Sequence, residues 1–100
     1  MLDALNTSLS GLRAQTRKFE AHAQNIANST TTSYTPVDAV LESDSTGGVT
    51  AQIQTRQSDE GVDISEELVG MMSSERAYQA NVAVLRTSNQ TLGVLLDTHA

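Results

Sequence analysis

Asp63–Leu96 reads DISEELVGMMSSERAYQANVAVLRTSNQTLGVLL. Within it Ile64, Leu68, Met71, Glu75, Tyr78, Val82, Leu85, Asn89, Leu92 and Leu96 follow one another at alternating steps of four and three, the spacing of a narrow helical seam. Only Glu75 and Asn89 among them are polar. One helix over this stretch is about 50 Å long at 1.5 Å per residue. A stripe of that length needs a comparable helix beside it.

The N-terminal segment offers one. Leu2, Leu5, Leu9, Leu12, Thr16, Phe19, Ala23 and Ile26 step by three and four in the same way. Asp3 or Asn6 can cap the start of this helix by accepting from a free backbone N–H. Gly11 either weakens the helix by up to about 1 kcal/mol or allows a neighbouring helix to come close. The polar run Asn28–Ser33 competes for backbone hydrogen bonds, and Pro36 disfavours helix at Thr35. The pattern predicts a first helix over 3–27.

Between the helices, Val37, Ala39 and Leu41 alternate with polar residues, although Val40 blurs the pattern. Val49, Ala51 and Ile53 alternate more cleanly, and Ser43–Gly48 reads as a turn. The segment is thus a small β-hairpin or irregular insert, followed by a polar link at 57–61. Asp63 can cap the second helix while Glu66 completes a capping box, and Glu66 and Glu67 suit the positive end of its dipole. The expected fold is mostly α. Two long helices, 3–27 and 63–97, form an antiparallel coiled-coil hairpin. Residues 1–28 and 63–100 make one discontinuous helical domain, and 29–62 make the connector.

With 100 residues, three aromatic side chains and no tryptophan, a compact core of large side chains is not expected, and partner chains are a source of further burial. The net charge of −6 argues against nucleic acid and anionic membranes. The acid is concentrated in the middle: residues 36–67 carry eight acidic side chains and one basic one. The longest apolar run falls far short of the ~20 residues of a membrane span. The start lacks the features of a cleaved signal, so export by the general secretory route is not expected. Cysteine is absent. His22 and His99 have no histidine three or four residues away, so no metal site is expected. No nucleophile motif or phosphate loop occurs, and no catalytic or cofactor-binding residue is assigned. Glu75 and Asn89 lie either at an exposed edge of the stripe or within it, where buried polar groups fix register. Tyr78 reads as packing.

Two motifs go beyond spacing. Asn25-Ile26-Ala27-Asn28, followed after a short polar stretch by Tyr34, resembles the N-terminal signature of bacterial flagellar rod and hook proteins. Val62–Val69 resembles the family's V-D-[LI]-x-x-E-[ML] opening, and Arg76-Ala77-Tyr78-Gln79-Ala80-Asn81 its R-A-[YF]-x-A-N core, closing on the leucine-rich Leu92–Leu96. The short length is most similar to a proximal-rod subunit. One departure is Thr32-Ser33-Tyr34, where the family often has P-G-Y.

The resemblance implies a non-enzymatic axial subunit of the basal-body rod that self-assembles and contacts other axial proteins. It also implies passage through the flagellar type III export apparatus without a cleaved signal, and a place in the periplasmic rod, not in a membrane. Leu5, Leu9, Leu12, Phe19 and Ile26 are expected to pack against Leu68, Met71, Tyr78, Leu85 and Leu92. Asn25 and Asn28 are expected to end the first helix and bond to backbone or to a neighbouring subunit. The alternative is a soluble helical-bundle adaptor or regulator of assembly that does not itself polymerise.

Overall fold

A computed structural model describes residues 2–56 and 61–99. Its order is α1 (Leu2–Ala27), β1 (Val37–Ser43), β2 (Val49–Thr55) and α2 (Ile64–His99). The chain is mostly helical, with a small antiparallel β-hairpin between two helices. The link read at 57–61 falls almost wholly outside the described residues.

Each helix begins and ends for local reasons. Asp63 Oδ1 accepts from the backbone N–H groups of Ser65 and Glu66, at 3.0 and 3.4 Å, capping α2. Asn28 closes α1: both its backbone N–H and its side-chain amide donate to the Gln24 carbonyl. The chain then turns through Ser33, whose φ of 63° lies in the left-handed region. At the hairpin tip Gly47 N–H donates to the Asp44 carbonyl, with Gly47 at φ 94°, and Asp44 N–H donates to the Gly48 carbonyl. That is a tight turn closed by a left-handed glycine.

The hairpin lies on α1. Thr7 Oγ1 donates to the Gly47 carbonyl, and Ser10 Oγ accepts from Val49 N–H. On its other side α1 meets α2, with Gly11 against Asn81 and His22 against Gly70. As one helix is followed forward the other runs backward. The result is a plate measuring 63 × 26 × 14 Å. A body 14 Å thick has little interior. Among the described residues, the buried apolar side chains are Leu12, Ala14 and Ala21, beside Pro36.

The helix contact is rotated from the expected seam. Glu67 and Ser74 of α2 are buried, while Leu68 and Tyr78 remain exposed, as do Leu9 and Phe19 of α1. The physical reason is size. Without a Cβ, Gly11 lets the Asn81 amide lie against the backbone, and Gly70 does the same for the His22 ring. Small residues set the axis of contact, and the leucine stripe is displaced to its flank.

Candidate functional site

Four polar side chains from all parts of the plate meet at one end of the helix pair. Glu67, in the first turn of α2, is 1 % exposed. His22 Nδ1 donates to its Oε2 at 2.6 Å, which places a hydrogen on Nδ1. Arg56, just after β2, donates through Nη2 to Glu67 Oε1 at 3.0 Å. The same guanidinium grips Asp38 of β1 through Nε and Nη2, at 3.1 and 2.7 Å. A forked donor suits this double duty because its N–H groups lie in one plane. Burial by itself raises the pKa of Glu67, but the polar groups of His22, Asn25 and Arg56 outweigh it and hold the carboxyl below its usual range. Hydrogen bonding to Arg56 lowers Asp38 likewise, and Arg56 is raised in return.

Next to this junction Asn25 is 0 % exposed. Its Nδ2 donates to the Val37 carbonyl at 2.8 Å, and its Oδ1 accepts from Val37 N–H at 2.9 Å and from the Tyr34 hydroxyl at 2.8 Å. The amide thus pairs with β1 as a neighbouring strand would. Here Asn25 does not end α1 but fastens the hairpin to it. Burial raises the pKa of Tyr34, consistent with a hydroxyl that donates.

The remaining motif residues fall into place around these contacts. Asn81 sits against Gly11, and Ala77 is half-buried. Arg76 and Ala80 are exposed, Ile26 is half-buried and Ala27 exposed. Of the seam residues, Leu5, Met71, Val82, Leu85 and Leu92 are half-buried and Leu12 is buried. Ile64, Leu68, Glu75, Tyr78, Asn89 and Leu96 are exposed. The structure brings Leu5 and Leu9 beside Val82, Leu85 and Asn89, and Phe19 beside Glu75 and Tyr78, in shallow grooves along the flank. Val69 and Met72, 65 % and 66 % exposed, lie on a further face of α2. The last turns of α2 carry Val94, Leu95 and Leu96, all exposed.

Sequence reasoning missed His22, Asp38, Arg56 and Glu67 as a unit. One signal was present: the glutamate of the V-D-[LI]-x-x-E-[ML] pattern falls on Glu67, which helix-dipole logic reads only as favourable charge at the start of α2. No sequence period links His22 or Arg56 to it. Among the described residues, no group of three or more histidine or acidic side chains is placed to hold a metal ion, and no helix is long and apolar enough to cross a membrane.

Residues 53–98 match the family model described as flagellar basal body rod FlgEFG protein C-terminal. This segment belongs to the flagellar rod and hook family. The match runs from within β2 through nearly all of α2, taking in Arg56, Glu67 and the R-A-Y-Q-A-N core. Rod-family proteins of this kind are structural components of the flagellum, not enzymes. The rod-like Asn25–Tyr34 motif lies outside the matched residues. A comparison with curated proteins finds no match.

Proposed function

We propose that the chain is a structural subunit of the flagellar basal-body rod, polymerising through its terminal helices with copies of itself and with other axial proteins. The observation that carries this reading is the exposed apolar surface on the rod-family segment. Leu68, Val69, Met72, Tyr78 and Val94–Leu96 all lie open along α2, and a plate 14 Å thick has no interior of its own to receive them. Large apolar side chains left open in this number on one helix support an interaction surface. In the assembled state the seam from Ile64 to Leu96, with Leu5, Leu9, Leu12, Phe19 and Ile26, completes a coiled coil partly within the chain and partly with the next subunit. Residues 1–28 and 63–100 act as one discontinuous domain. The subunit passes through the type III export apparatus without a cleaved signal and resides in the periplasmic rod.

Deleting the gene and imaging basal bodies tests this. An incomplete rod is expected. An intact rod, with the protein retained in the cytoplasm as a fixed small oligomer, would overturn the reading in favour of a soluble assembly adaptor.

A further inference from the structure

The two edges of the hairpin differ in a way that points to a partner. The register pairs Val37 with Thr55 and Ser43 with Val49. Antiparallel ladders bond at alternate pairs, and the bonds from Arg56 N–H to Pro36 and from Asp44 N–H to Gly48 fix which pairs these are. Asp38, Val40 and Glu42 therefore bond inward to β2. The outward groups of β1 belong to Val37, Ala39, Leu41 and Ser43, and those of β2 to Val49, Ala51, Ile53 and Thr55.

α1 covers one end of each edge. Asn25 takes both outward groups of Val37, and Ser10 takes Val49 N–H. Among the described residues, no hydrogen bond reaches the outward groups of Ala39 and Leu41 or those of Ala51 and Ile53. Leu41 and Ile53 are also exposed large apolar side chains. β2, reading VTAQIQT, has no charge, proline or glycine, so it lacks the usual devices that blunt an edge. β1 contains Asp38 and Glu42, with Asp44 following. Two β1 edges together would crowd carboxylates, whereas an uncharged β2 edge accepts a β1 edge without like-charge repulsion.

We propose that the β2 edge of one copy pairs with the β1 edge of a second copy, extending the hairpin into a continuous antiparallel sheet. Because β1 and β2 already run antiparallel, copies set side by side in one orientation satisfy this pairing. The contact is heterologous, so it repeats around a ring or along a tube and does not close at a dimer. It supplies neighbouring strands to a hairpin that is marginal alone. The pairing rests on the subunit reading above and adds where a lateral contact is made.

Sedimentation velocity of the full chain over a concentration series, beside Ala51→Pro and Ile53→Glu, tests it. Proline at position 51 removes an outward donor and spares the inner ladder. Ala51→Pro is expected to raise the concentration for half-assembly about tenfold or more, as loss of one or two hydrogen bonds does. Ile53→Glu is expected to raise it too, because it sets a carboxylate against the acidic β1 edge. Amide exchange of the unmodified chain gives a readout free of any folding defect: Ala39, Leu41, Ala51 and Ile53 should slow on assembly. Assembly in which these amides exchange as in the monomer overturns the edge pairing and leaves the subunit reading standing. A closed dimer that does not grow overturns the heterologous contact, and a chain that stays monomeric throughout overturns both.

Discussion

The imidazole of His22 lies directly over the Cα of Gly70, so that a side chain built there would overlap the ring. The same ring donates to Glu67, one turn earlier on α2. Helix spacing and the buried His22–Glu67 hydrogen bond are therefore set by one contact.

Gly70→Ala should reveal this. Alanine raises intrinsic helix propensity by up to about 1 kcal/mol. Overpacking against a held ring costs typically 1–3 kcal/mol. A net loss of up to about 2 kcal/mol is expected by thermal unfolding, and a gain in stability would show that the ring moves aside freely.

Ser33 holds a left-handed backbone at φ 63°. A non-glycine residue there is strained by about 1 kcal/mol. Ser33→Gly is expected to raise stability by somewhat under that amount, read as a higher denaturant midpoint with unchanged slope. The family's frequent glycine at this place in P-G-Y then has its physical reason here.

Glu67 and Asp38 both have lowered pKa values in the folded chain, so the unfolded chain binds more protons. Their contribution is fully present above the ordinary values of 4.5 and 3.8 and is lost as pH falls through the lower folded values. Urea midpoints should therefore fall as the medium is acidified below pH 4.5. Glu67→Gln should lose about 2 kcal/mol near neutrality, from weakened charged hydrogen bonds, and show a shallower acid limb. An unchanged acid limb would mean that this carboxyl does not carry the effect.

Val69→Asp and Met72→Asp probe assembly apart from folding. Both side chains are about two-thirds open, so monomer stability should change by less than about 0.5 kcal/mol. Concentration-dependent sedimentation should weaken markedly. Unchanged assembly would remove this face of α2 from the subunit contact.

Much of the fold was legible in sequence because its signals are local. Alternating steps of three and four outlined both helices, Asp63 marked the start of α2, and Ser43–Gly48 marked the hairpin turn. The rotation of the helix contact was not legible. A period reports which residues share a stripe, and it favours leucines over glycines as its axis. Gly11 and Gly70 act only through what lies opposite them, Asn81 and His22.

The polar junction shows the same division. Asn25 and Tyr34 stood out as a motif, but their roles depend on Val37 arriving beside them. His22, Asp38, Arg56 and Glu67 span 45 residues of separation and share no period. By itself the sequence determined the elements, their ends and the excess of apolar stripe over available cover, because hydrogen bonding and periodicity act between near neighbours. Only the tertiary structure decided which stripe stays open and which carboxylate is buried. Those outcomes depend on close approach between each glycine and a side chain distant in sequence, and no local pattern encodes that.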